Sequence, residues 1–403
     1  MGALWTTFTS RSVMHFDLDK QTVFLAVTGS HAYGMARESS DVDLRGAGVT
    51  PRRIRDSYYK KFKQFESGKQ VGPWGPNSEV ALQRLATHKT AGPCWEKAPE
   101  LDVVVYSLTK LIKLAAENNP NVLELLFCET SDILYSTPVW ERILEGRDLF
   151  LSKLCRVKYN GYAMSQLKRI KGHREWLLNP PSAPPTRGGF GLPEESALPS
   201  DVRNQIDEAV KGKLHSWSVN YGLDDHFTGA ALDILRDRMF EFQAAALRCE
   251  EELLEEGAYQ IAGASLGLTK DTLYVIKQER AYRSALKHWQ QYQNWKNTRN
   301  EKRAALEAKH GYDTKHASHL VRLLRTGKEI LSGEGLKVRR PDAEELKAIR
   351  DGAWSYEELM DQATALQDAM KRAATTSTLP KNPPAQEIDD LLFETLELAD
   401  RTM

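Results

Sequence analysis

Short apolar runs give way to longer stretches of helical spacing along this chain, and the change falls near residue 150. Before it, VFLAV (23–27), VDLRGAGVT (42–50) and LDVVVYSL (101–108) read as β-strands, with HAYGMA (31–36) a helix or turn after the first. TKLIKLAAENN (109–119) begins an amphipathic helix. Asn119 then suits an N-cap and Pro120 the first helical position ahead of NVLELLF. Strands meeting helices in this order predict a mixed α+β domain over residues 1–150.

Beyond it, segments 152–178, 202–217, 229–258, 270–309, 314–332 and 355–373 carry helical periodicity, which predicts a mostly helical domain over 151–373. The stretch NPPSAPPTRGGFGLPEESALPSD (179–201) is too rich in proline and glycine for either element and reads as a long loop. Its Arg187 and Phe190 are candidates to close over a substrate. TTSTLPKNPPAQ (375–386) reads as a linker before a short acidic helix, EIDDLLFETLELAD, within a C-terminal segment 374–403.

The densest chemistry lies in VTGSHAYGMARESSDVDLR (27–45). Asp41 and Asp43 are two apart, so on an extended strand their carboxylates leave the same face. Two such charges repel by roughly 4 kcal/mol at 4 Å and an effective dielectric near 20. A hard divalent ion, magnesium above all, is the natural neutraliser. The turn at Gly29-Ser30 offers close backbone approach and a hydroxyl donor, which suits a phosphate. An ordinary strand-to-helix turn with Ser30 as a cap uses the same N–H groups. Arg45 follows on the aspartates' face, where it orients Asp43, touches a phosphate or makes a structural ion pair. His31 and Tyr33 have weaker claims.

Gly29-Ser30, Gly34 and Ser40-Asp41-Val42-Asp43-Leu44, in that spacing, resemble the signature of the DNA polymerase beta nucleotidyltransferase superfamily. Segments 101–127, 161–181, 190–194 and 311–325 are similar to one branch, the RNA-repair-associated nucleotidyltransferases of bacteria and phages. The resemblance implies a two-metal site using Mg2+, or Mn2+ in its place, with an NTP as substrate. Asp41 and Asp43 would be two metal ligands and Asp102 the third, Glu100 being the alternative. Gly29 and Ser30 would hold the triphosphate. NMP would pass to an acceptor hydroxyl, with an RNA 3′ end the preferred acceptor. Transfer to a protein or small molecule, and an inactive nucleotide- or RNA-binding module, remain open.

Enzymes of this superfamily commonly draw cations for the triphosphate from a helical domain. On the helix 315–331, Ala317, Leu320, Val321, Leu324 and Leu331 form an apolar stripe, while Lys315, His319 and Arg322 line another face. Those three are candidates for that role, with a solvated face as the alternative. On 161–177, Tyr162, Gln166, Arg169 and His173 align beside Lys168 and Lys171. Arg169 is a further nucleotide candidate, and a polar helix–helix contact is the ordinary reading. Basic residues interleave with aromatics in PRRIRDSYYKKFKQF (51–65) and again over 281–303. The second stretch has helical spacing at Tyr282, Trp289, Tyr292 and Lys296, which favours buried rings. The first reads as an exposed loop and the better nucleic-acid surface. Capping explains most of Asn118, Asn119 and Asn121, and Glu124 is a weak nucleotide candidate.

Composition narrows the classes. Lys plus Arg (55) balance Asp plus Glu (55), so the chain is no polycation and any nucleic-acid surface must be a local patch. Cys94, Cys128, Cys155 and Cys249 are scattered with no CxxC pair, which suits free thiols in a reducing cytoplasm. No apolar run is long enough to span a membrane. The start lacks a signal layout, and MGALWT matches the myristoylation pattern, which is short and needs a eukaryotic acyltransferase.

Overall fold

A computed structural model of the protein describes residues 16–70, 73, 75–98, 100–196, 201, 204–206, 208–209, 267–299 and 301–403. By compactness the chain forms two units, one of residues 1–178 with 300–403 and one of 179–299.

The first unit is built on a five-stranded sheet: β1 (Thr22–Thr28), β2 (Val42–Gly48), β3 (Gln64–Gln70), β4 (Leu101–Ser107) and β5 (Ile133–Ser136). Their order is β3-β4-β2-β1-β5, with β2 and β4 parallel and the other neighbours antiparallel. Both faces are covered, which is why the apolar run in β1 is continuous rather than alternating. On one face Leu25, Val27, Leu44, Leu101, Val103 and Val105 pack with helices Pro76–Ala86 and Ala91–Lys97 through Leu82, Leu85 and Cys94. On the other, Phe24, Ala26 and Ala47 join a larger core. There Trp140 stacks on Phe24 with centroids 4.0 Å apart.

That larger core runs on across residue 150. It is shared by α6 (Leu108–Ala116), α7 (Pro120–Leu126), α8 (Pro138–Glu145), α9 (Leu154–Leu178), α12 (Thr314–Leu331), α13 (Ala343–Arg350) and α14 (Tyr356–Thr376). Four-residue helices α1 (Leu18–Gln21), α2 (Gly29–Ala32) and α3 (Arg52–Arg55), with the two helices behind the sheet as α4 and α5, complete the N-terminal order. Asn119 caps α7 as expected, accepting from the Asn121 N–H at 3.1 Å, with Pro120 in its first turn. The acidic tail is longer than foreseen and is docked. α15 (Ala385–Thr402) buries Ile388, Leu391, Thr395 and Ala399 and packs on α8 and α6.

The single helix expected over 270–309 is two, α10 (Lys270–Thr298) and α11 (Glu301–His310), and the units divide between them. α10 buries Tyr292 and half-buries Tyr282 and Trp289, so its rings face inward. Within the second unit Arg187 pairs with Glu279, and both Arg187 and Phe190 lie against the Tyr282 ring. These contacts tie the loop to α10 instead of leaving the two side chains poised over a substrate. The helix expected at 229–258 and most of that at 202–217 lie outside the described residues. Among the described residues no helix is long and apolar enough to cross a membrane, and Cys94, Cys128 and Cys155 are free thiols.

Gly46 in β2 tests the sheet packing. A Cβ there would stand 2.3 Å from the Phe24 carbonyl oxygen and 2.7 Å from Leu25 Cδ2. Gly46→Ala should lower stability by about 1–3 kcal/mol, read as a reduced urea midpoint at unchanged m-value. An unchanged midpoint would show that this register is wrong.

Candidate functional site

Strand pairing brings the acidic residues together. In the parallel ladder Asp43 stands directly opposite Asp102, and across the antiparallel ladder it faces Thr28. Asp41 immediately precedes β2, two residues from Asp43. The chain turns from β1 into α2 at Gly29, whose φ of +64° is left-handed. A Cβ at Gly29 would also lie 2.5 Å from Asp43 Oδ2, so only glycine allows the turn and the carboxylate to approach this closely. Arg45 braces the cluster. It donates to the Asp102 carbonyl at 2.7 Å and to Asp102 Oδ2 at 3.2 Å, and lies 3.8 Å from Asp43 Oδ1.

Asp43 lines two cavities. A smaller one, about 90 Å³, is walled by Ser30, Ser39, Ser40, Asp41, Lys315, His319 and Arg350. A larger one, about 270 Å³, includes Gly29, Arg45, Tyr106, Asn121 and Glu124. Burial raises the Asp43 carboxyl pKa above the usual range, and Asp102 and Asp41 push the same way against Arg45 and Lys315. Across the small cavity the mirror situation holds. Burial and the charges of Arg350 and Arg303 depress the Lys315 ammonium, and burial and Arg37 depress Arg350. Neither Lys315 nor Arg350 has an ion-pair partner among the described residues. Excess anion and excess cation therefore face each other without meeting.

Several candidates fall elsewhere. Arg322 is turned inward: it pairs with Glu124, which also accepts from the Tyr33 hydroxyl at 2.5 Å, and its guanidinium lies 3.8 Å from the Tyr33 ring centroid. Truncating one partner of such a buried pair typically costs about 3–5 kcal/mol, so this is a brace joining α7, α12 and the turn after α2. His319 does line the cavity, but burial and the charges of Arg322 and Lys315 hold it neutral well below its ordinary pKa. Arg169 is exposed on α9, near His316, and does not line either cavity. His31 is buried, 3.2 Å from Thr90 Oγ1. Arg350 and Ser39 were not foreseen, and Ser40 was read only as part of the motif that holds the aspartates. The serines were legible as neighbours of Asp41, whereas nothing local marks Arg350.

One His/Asp group has metal-ligand spacing among the described residues: His173, Asp313 and His316. Asp313 is already committed. Its Oδ1 caps α12 through the His316 N–H at 3.0 Å, while Oδ2 takes Arg303 and, at 3.1 Å, His173. Burial alone would raise its pKa, yet His173, His316 and Arg303 hold it well below the carboxylate range. Asp313 Oδ2 is thus already shared between a guanidinium and an imidazole.

Residues 10–177 match the family model described as RlaP, the RNA repair pathway DNA polymerase beta family. Over that stretch the chain is similar to this family. The match spans the sheet, the Gly29-Ser30 turn, all three aspartates and nearly all of α9, and it stops before Lys315, His319 and Arg350. Segments 190–194 and 311–325 lie outside it. No curated protein and no solved structure matches the chain.

The raised Asp43 pKa has a stability consequence. The folded chain holds a proton that the unfolded chain releases near pH 3.8, so stability falls as pH rises through the folded value and stays lowered above it. Asp43→Asn removes that penalty. Its melting temperature at neutral pH in chelator should equal or exceed that of the parent, with the advantage lost in acid. A clearly lower melting temperature would contradict the crowding of carboxylates described above.

Proposed function

We propose that the chain is a divalent-metal-dependent nucleotidyltransferase that moves NMP from an NTP to an acceptor hydroxyl, with an RNA 3′ end as acceptor. The observation that carries this reading is that Asp41 and Asp43, the latter opposite Asp102 in the ladder, face Lys315 and Arg350, which have no ion-pair partner among the described residues, across a serine-lined cavity. The oxygen donors fit hard cations such as Mg2+ or Mn2+, and Asp43, with its raised pKa, gains most from one nearby. When bound, two such ions would supply charge neutralisation and acidify the attacking hydroxyl.

The residues divide the remaining work. Ser30, with the N–H groups at the start of α2, holds triphosphate oxygens, and Lys315 and Arg350 balance the departing pyrophosphate's charge. His319 adds a hydrogen bond rather than a cation. Asp102 lies beyond Asp43 from the Ser30 side, so the acceptor hydroxyl approaches from the larger cavity, past Arg45 and Tyr106. Attack and departure then lie on opposite sides of the α-phosphorus, as in-line displacement requires. Arg45 keeps the Asp43 and Asp102 carboxylates aligned. The family match supports the RNA-repair setting.

The test is incubation with labelled NTPs, Mg2+ and RNA carrying a free 3′ hydroxyl. The parent should label RNA, and Asp41→Asn with Asp43→Asn should lower the rate by roughly a thousandfold or more while the fold is kept, since several kcal/mol of charge stabilisation disappear. Unchanged turnover in that double variant would reject the site. Label appearing on protein or a small molecule, with RNA unlabelled, would reject the acceptor.

A further inference from the structure

Outside the two cavities beside Asp43, the first unit has another of about 550 Å³ whose walls are basic. Arg55, Lys61, Lys63, Lys110 and Lys113 line it against one carboxylate, Glu117. Arg55 is matched by Asp400 at 2.7 Å, and Lys110 is hydrogen-bonded to Gln64. Lys61, Lys63 and Lys113 are exposed and have no ion-pair partner among the described residues. Just before Lys61 in the chain, Tyr58 and Tyr59 are 86% and 87% exposed, their rings edge to face at 4.9 Å. Large side chains this open gain nothing from folding. Flanked by Arg52, Arg53, Lys60 and Lys61, they do not suit an apolar protein interface either.

This surface connects to the aspartates. Asp102, Val104 and Tyr106 share one face of β4, so Tyr106 lies about 13 Å along the strand from the third carboxylate. Tyr106 lines the larger cavity beside Asp43, and Lys110 Nζ stands 5.7 Å from its ring centroid, at the wall of the basic cavity. The Ser107 N–H donates to the Lys63 carbonyl at 2.8 Å, which fixes the lysine segment to the end of the same strand. Unpaired cations, open ring faces and a path to the reacting centre are the requirements for holding a flexible polyanion of bases. A duplex offers no free base faces to Tyr58 and Tyr59, whereas a single strand does.

We propose that this basic cavity and the Tyr58–Tyr59 loop bind single-stranded RNA upstream of the acceptor 3′ end, which passes Lys110 and Tyr106 to reach Asp43 and Asp102. The proposal rests on the nucleotidyl-transfer reading and adds the track on which the acceptor lies.

The experiment measures anisotropy of a 5′-labelled single-stranded RNA with full-length protein over a salt series. Lys61→Glu with Lys63→Glu and Lys113→Glu should weaken binding more than tenfold and flatten the salt dependence by roughly two units of slope. Tyr58→Ala with Tyr59→Ala should weaken binding by about tenfold or more at unchanged slope. Both variants change exposed residues only, and melting curves check their fold. Failure of the parent to bind, tighter binding of a duplex, or parental affinity in both variants would overturn the proposal. Transfer separates the two readings. RNA bound through this patch but never extended rejects nucleotidyl transfer, whereas extension by both variants at unchanged KM for RNA rejects this track alone.

Discussion

Like charges held close together, without their counterions, are the constraint on which this protein's organisation depends. Asp43 and Asp102 face each other in a parallel ladder, Asp41 is two residues away, and among the described residues Arg45 alone lies within ion-pairing distance of Asp43 and Asp102. Lys315 and Arg350 are crowded on the far side of a cavity. Asp43, Lys315 and Arg350 each sit in a protonation balance shifted against their charge. A fold would not keep both sets apart for its own stability, because direct pairing would relieve both. The arrangement suits the guest proposed above, a metal-bound triphosphate that carries both signs. Perturbed groups gathered in a cleft are the expected mark of such a site.

The rest of the first unit serves to hold that separation. The sheet, covered on both faces, sets the ladder that aligns the aspartates, and Gly29 lets the turn come down on Asp43. The cations come from α12 and α13, more than two hundred residues further along the chain. They are kept in place by the core that α12 shares with α9 and by the buried Tyr33–Glu124–Arg322 brace. Removing positive charge from solvent in that brace is tolerable because Glu124 and the Tyr33 ring both face the guanidinium. Arg322 therefore contributes rigidity, while Lys315, one face-repeat earlier on the helix, contributes charge.

How much of this was readable beforehand follows from how local each signal is. The aspartate pair and the Gly-Ser turn lie within fifteen residues of each other, so their spacing announces them. Asp102 could be picked out because it opens an apolar strand, although its position opposite Asp43 depends on a register that pattern alone does not define. Arg322 pairs with Glu124, 198 positions away, a partner to which the helical spacing that relates it to Lys315 is blind. Arg350 escaped notice because it ends an ordinary short helix, and only tertiary packing brings it to the cavity. β3 was missed since QFESGKQ has a single buried apolar residue, Phe65, and pairs as an edge strand. The docking of α15 depends on Leu391 meeting Gly146, a contact no linear pattern contains.

The central claim is most directly tested by a crystal structure of the protein with Mn2+ and a non-hydrolysable NTP, read through the anomalous signal of manganese. The account predicts metal peaks among the carboxylates of Asp41, Asp43 and Asp102, with the β- and γ-phosphates reaching Ser30, Lys315 and Arg350. Nucleotide bound elsewhere, or metal found only at His173, Asp313 and His316, would contradict it.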